Sequence, residues 1–136
     1  MFHEIRSSKD IQDFLEKTNW LHDGIIIDVR YRNDGISRKE NGHWIDPMKT
    51  KLTLQILVTS ISYAVVEIIF EDLQEWQIQD YPYYMNDIVQ TSVRIEGSLT
   101  TLCPEENWIV WSSAGMDEIE KGSYAIAKSM KWRIVE

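Results

Sequence analysis

Between Leu52 and Phe70 the chain reads L-T-L-Q-I-L-V-T-S-I-S-Y-A-V-V-E-I-I-F, and this stretch limits what the rest can become. Leu52, Leu54, Ile56 and Val58 alternate with Thr53, Gln55 and Thr59, the period of a strand with one buried face. A second run sets Ala64, Val66, Ile68 and Phe70 on one face, with Tyr63, Val65, Glu67 and Ile69 on the other. β-Branched and aromatic residues of this density suit a pleated, half-buried surface. The link between the runs is short, so the spacing predicts an antiparallel hairpin. The remaining elements must pack on it or beside it.

They are few and simple. Ser7 or Ser8 can cap a helix that carries Asp10 in its first turn and Ile11, Phe14, Leu15 and Thr18 on one face, with Asn19 as the stop. Ile25, Ile27, Val29 and Tyr31 alternate with Ile26, Asp28, Arg30 and Arg32 in a strand that ends at Asn33-Asp34-Gly35. Ile36 to Pro47 reads as a loop or ragged hairpin tip. Past the central hairpin, Leu73, Trp76 and Ile78 keep no clean period, which predicts a bend into a short strand. Pro82 places Asp80 to Tyr84 in a loop. Val89 to Ile95 and Trp108 to Ser112 read as strands, and Ser113 to Gly122 as an acidic loop. In the last run, Tyr124, Ile126, Met130, Trp132 and Ile134 share a face broken by Lys128, although Ser123–Lys131 could also form a helix. These elements predict an α+β fold: one N-terminal helix packed on a twisted, mostly antiparallel sheet of about six to seven strands.

With 136 residues and no long linker, residues 1–136 are expected to form a single domain. One cysteine, Cys103, allows no intrachain disulfide, and beside Pro104 it reads as an inert thiol. The polar N-terminus has no signal-peptide core, and Leu52–Phe70 is interrupted too often to span a bilayer. The expectation is a cytoplasmic protein without a membrane. A net charge of −8 argues against nucleic acid, whose binders present a basic face to phosphates.

No motif names a reaction. The glycines form no phosphate-binding loop, and no nucleophile elbow is present. His22-Asp23 with His43 and Asp46 could line a pocket of a small enzyme or ligand-binding domain. Structural zinc would need spacings that are absent. The simpler reading has Asp23 bonding turn amides and His22 fixing the helix–strand junction. No metal or cofactor is expected. Charge segregation says more. From Leu52 to Val93 there is no Lys or Arg, while Glu67, Glu71, Asp72, Glu75, Asp80 and Asp87 are all acidic. Among them sit Trp76, Tyr81, Tyr83 and Tyr84, residue types enriched in binding hot spots. Glu71, Asp72, Glu75, Trp76, Asp80, Tyr83 and Tyr84 are therefore the candidate contact residues for a basic partner protein. Unpaired sheet edges raise a homodimer as a further expectation.

Trp20-Leu21-His22-Asp23-Gly24 after a short helix, followed by strands that close on Met130-Lys131-Trp132-Arg133-Ile134, resembles a group of small bacterial domains. That group includes uncharacterised proteins and immunity proteins of polymorphic toxin systems, with an aromatic-His-Asp junction in which phenylalanine is commoner than Leu21. The resemblance implies a non-enzymatic, immunity-like binding protein with a toxin-like partner. It implies no catalytic role for His22 or Asp23.

Overall fold

A computed structural model describes residues 1–39, 42–45, 49–79, 87–88, 91–97, 107–114 and 116–135. The fold is α+β. A short strand β1 (His3–Glu4) precedes helix α1 (Ser8–Lys17). Strands β2 (Gly24–Asn33), β3 (Ile36–Lys39), β4 (Gly42–Ile45), β5 (Thr50–Val58) and β6 (Ala64–Gln77) follow. Then come β7 (Asp87–Ile88), β8 (Ser92–Gly97), β9 (Asn107–Ser112) and β10 (Tyr124–Val135). The main sheet has the order β7-β2-β5-β6-β10-β9-β8, with β1 paired to the far half of β10. Every pairing is antiparallel. β3 and β4 form a hairpin of their own where a loop or ragged hairpin tip was expected.

The expected hairpin is the centre. Leu52, Leu54 and Ile56 lie opposite Phe70, Ile68 and Val66, and all six are fully buried. α1 covers this face. Ser7 caps it by accepting a hydrogen bond from the Asp10 N–H at 3.2 Å, and Asp10 accepts one from the Arg6 N–H at 2.9 Å. The bond from Arg6 and the Ser7 hydroxyl hold the Asp10 carboxyl below its usual range. Phe14 and Leu15 are buried, and the Phe14 ring lies 5.3 Å from that of Trp132.

Three expectations about faces and periods are corrected. β6 does not stop for a bend and a separate short strand; it runs on to Gln77. Asp72 takes a φ of 58°, and the β6–β10 register shifts between Ile126 and Ala127. The core face then steps by an odd number, from Phe70 to Leu73 on β6 and from Met130 to Ala127 on β10. In β10, therefore, Ala125, Ala127, Met130 and Trp132 join the core. Tyr124 and Ile126 turn to the opposite face, and Ile134 is 42% exposed. The helical alternative for Ser123–Lys131 is replaced by strand. In β2 a register shift at Ile27 puts Ile26, not Ile25, against the core, because a bulge residue reverses which side its neighbours face.

The sheet's end strands β7 and β8 are neighbours in sequence. Only residues 89–91 separate Ile88 from Ser92, so those two residues stand no further apart than about 14 Å along an extended chain. The sheet must curl until its edges approach. The Thr91 N–H donates to the Trp20 carbonyl at 3.0 Å, which ties this closure to the 3-10 turn Asn19–Leu21 that follows α1. No helix among the described residues is long and apolar enough to cross a membrane.

Candidate binding surface

The sheet's other face, away from α1, carries the acidic residues. Glu67, Glu71 and Glu75 on β6 share this face with Lys131 and Arg133 of β10. Glu71 pairs with Lys131 at 3.2 Å. Glu67, 9% exposed, accepts bonds from Gln55 at 3.0 Å and Arg133 at 3.1 Å. Glu75 accepts a 2.6 Å bond from the Tyr124 hydroxyl. This bond, burial, and the charges of Glu75 and Glu120 push the Tyr124 phenol above its usual range. The phenol therefore stays a proton donor to Glu75 through neutral pH.

A second acidic segment joins this end of β6. Residues Met116–Lys121 form a short 3-10 turn. The Gln77 side-chain amide donates to the Glu120 and Gly122 carbonyls at 3.0 Å each, and the Gln79 N–H donates to the Ser123 hydroxyl at 3.0 Å. Gly122 has a packing reason: a Cβ there would stand 2.8 Å from Ser113 Oγ. Glu75 and Glu120 thus flank Tyr124 from segments far apart in sequence, and both are exposed, as is Asp117 in the same turn.

Trp76 takes the other side. It packs against the core and stacks on Tyr31, with ring centroids 5.4 Å apart and 23° between planes. The structure therefore separates Trp76 from Glu71 and Glu75 across the sheet. Asp72 is half-buried at its left-handed position. Asp80, Tyr83 and Tyr84 lie outside the described residues, and so do Tyr81 and Cys103.

The His22–Asp23 junction is built on unusual backbone. Asn19, Trp20, Leu21 and Asp23 have φ values of 52°, 59°, 50° and 58°. For L-residues this region costs roughly 1–2 kcal/mol each. Tertiary bonds hold it in place. Ser60 Oγ donates to the His22 carbonyl at 2.8 Å, and Thr59 Oγ1 to the Asp23 carbonyl at 3.3 Å. Leu21 is fully buried as a result. The Asp23 carboxylate lies 3.5 Å from His22 Nε2, with both side chains more than half exposed. His43 lies on β4 and Asp46 outside the described residues. Among the described residues, no three His, Cys, Asp or Glu side chains gather in a way that could hold a metal ion.

The left-handed geometry at Asp23 makes a prediction. Asp23→Ala should lower the melting temperature, because alanine tolerates positive φ less well than aspartate. Asp23→Gly should be neutral or stabilising at the same position. Differential scanning calorimetry checks the order. Equal losses in both variants would assign the effect to the carboxylate rather than to the backbone.

Two grooves lie near β1. One of about 380 Å³ is lined by Glu4, Arg6, Glu71, Lys128 and Lys131 among others, and one of about 200 Å³ by His3, Asp10, Asp13, Lys17 and Trp132 among others. Neither is lined by His22 or Asp23. In the larger groove Arg6 pairs with Glu4, and Glu71 with Lys131. Compared with protein-family models, curated proteins and solved structures, the chain matches none.

Proposed function

We propose that this chain is a non-enzymatic, immunity-like binding protein that holds a basic protein partner. Its contact surface is the acidic face formed by the end of β6, the start of β10 and the Met116–Lys121 turn. The supporting observation is the junction of two acidic segments: Gln77 fastens the turn beside β6, and Glu75 and Glu120 come to flank Tyr124. Gathered like charge opposes compact folding, and a site that uses the charge accounts for its being kept. Glu75, Asp117 and Glu120 would steer a basic partner, while aromatic residues, Tyr84 among the candidates, would supply most of the binding energy. The alternative, a pocket enzyme using His22, Asp23, His43 and Asp46, has less support, since the His22 and Asp23 side chains are both more than half exposed.

The test is capture of a partner from the source cell, followed by kinetics. A basic partner should associate more slowly with Glu75→Lys/Glu120→Lys, and added salt should shrink the difference. Tyr84→Ala should mainly speed dissociation. Trp76→Ala is a poor binding probe, because that ring also supports the core. A captured partner that binds the charge-reversed and Tyr84 variants as tightly as the parent would move the binding site elsewhere.

A further inference from the structure

Where β6 meets the middle of β10, the core takes Phe70 and Leu73 from one strand and Met130 and Ala127 from the other. Two consecutive residues on each strand are therefore left out of it: Glu71 and Asp72 on β6, Lys128 and Ser129 on β10. Regular alternation would leave out only one at a time. The groove of about 380 Å³ opens at this place, between β10 and the segment from Glu4 to Arg6. Its volume is at the low end for small-molecule sites. Ile5 and Met130, both buried, belong to its lining, and the Ile5 N–H donates to the Met130 carbonyl at 3.0 Å, which joins the two walls.

Both walls are charged. Arg6 pairs with Glu4 on one, and Lys131 with Glu71 at 3.2 Å on the other. Glu4 and Lys131 stand opposite each other in the β1–β10 register, so the two ion pairs are neighbours across the groove. Aromatic rings help to place the lysines: Lys131 Nζ lies 5.2 Å over the Phe2 ring, and Lys128 Nζ 5.7 Å over the Trp108 ring. The lining thus presents three cations and two carboxylates, in a chain whose net charge is −8.

We propose that this groove binds a small acidic α-amino acid, of the glutamate or aspartate type. A simple anion would meet the Glu4 and Glu71 carboxylates along with the cations. A simple cation would meet Arg6, Lys128 and Lys131. A ligand of both signs sets its ammonium beside the carboxylates and its own carboxylates beside the cations. With two carboxylates and one ammonium it also complements the three-to-two lining. The Arg6 side chain is 78% exposed, so its planar fork can turn from Glu4 to a ligand carboxylate and hold it bidentately. The ligand ammonium then takes the place of Arg6 beside Glu4, and no carboxylate is stranded. Glu75, Tyr124 and Glu120 do not line the groove, so this site stands or falls independently of the acidic face.

A nuclear magnetic resonance titration of the whole chain with L-glutamate tests the site. The amide signals of Arg6 and of Lys128 to Lys131 should shift saturably. Glutarate lacks the ammonium, and L-glutamine lacks the second carboxylate. Each should bind about tenfold more weakly or worse, the usual effect of losing a charge-assisted hydrogen bond. Arg6→Gln and Lys128→Gln should weaken glutamate by a similar factor, whereas Lys17→Gln, outside this groove, should not. Glu71→Gln should weaken glutamate but not glutarate, because it removes a partner of the ammonium alone. Unchanged Ile5 and Met130 signals in the free variants check that β1 stays docked, and Lys128→Gln carries the test if Arg6→Gln releases it. Shifts that do not saturate, or that fall outside the groove, overturn the proposal. So does glutarate or glutamine that binds as tightly as glutamate, or glutamate binding that survives Lys128→Gln or Glu71→Gln.

Discussion

Leu54→Ala and Ile68→Ala are each expected to lower the unfolding free energy by about 2–5 kcal/mol, the range for truncating a buried aliphatic side chain. The two residues face each other across β5 and β6 and are fully buried. β5 is held between β2 and β6, and β6 between β5 and β10, so neither strand can shift to fill the void. Domains of this kind are stable by about 5–15 kcal/mol, so either change removes a large share. Because the side chains touch one space, the double variant should cost less than the two singles added together. Val29→Ala, at a position 37% exposed, should stay within about 0.5 kcal/mol of the parent. Urea unfolding with an unchanged slope measures all four. Unchanged midpoints for Leu54→Ala and Ile68→Ala would mean that the buried face is inverted.

That face was legible because its strands have neighbours on both sides. A strand paired along both edges and covered on one face shows an unbroken period of two, and Thr50–Val58 shows it. Legibility fails where one of those conditions fails. Val29 and Tyr31 look like core residues, yet they are 37% and 49% exposed, so their face is not closed over there. Leu73 and Trp76 lose their period because Gln74 is an extra residue of β6, between the pairs Leu73–Ala127 and Glu75–Ile126, which nothing in the local pattern announces. β1 is too short to carry a pattern and is a strand only through its bonds to β10.

The acidic surface was half legible, for a related reason. The absence of Lys and Arg between Leu52 and Val93 is plain in the sequence. Which acids are already matched is a tertiary fact: Glu71 meets Lys131, and Glu67 meets Arg133, from the last strand of the chain. The acids around Tyr124 come together through Gln77 and the Glu120 carbonyl, 43 residues apart. Glutamine at that position gives no hint of such a bond. The acidity of Ser113–Gly122 was visible, but only the pairing of β10 with both β6 and β9 brings it beside Glu75.

The Glu67–Arg133 pair gives the second large expected effect. The Glu67 side chain is 11% exposed and the Arg133 side chain 40%, so the two do not bear loss of the partner equally. Arg133→Met leaves a carboxylate in the sheet with Gln55 as its one remaining bonded side chain among the described residues. A buried charge without its counter-ion costs several kcal/mol. Water reaching the space left by the half-open guanidinium reduces this to about 1–3 kcal/mol. Arg133→Met also removes the cation lying 4.5 Å over the Phe2 ring, a smaller loss. Glu67→Met leaves a guanidinium that can turn to water, and its cost should stay below that of Arg133→Met. The double variant Glu67→Met/Arg133→Met should then recover to within about 1 kcal/mol of the parent, since apolar replacement of a buried pair is often neutral. Chemical denaturation of the three variants gives the order directly. If the double variant is as unstable as Arg133→Met alone, the loss comes from packing around Phe2 and β10 rather than from a stranded carboxylate.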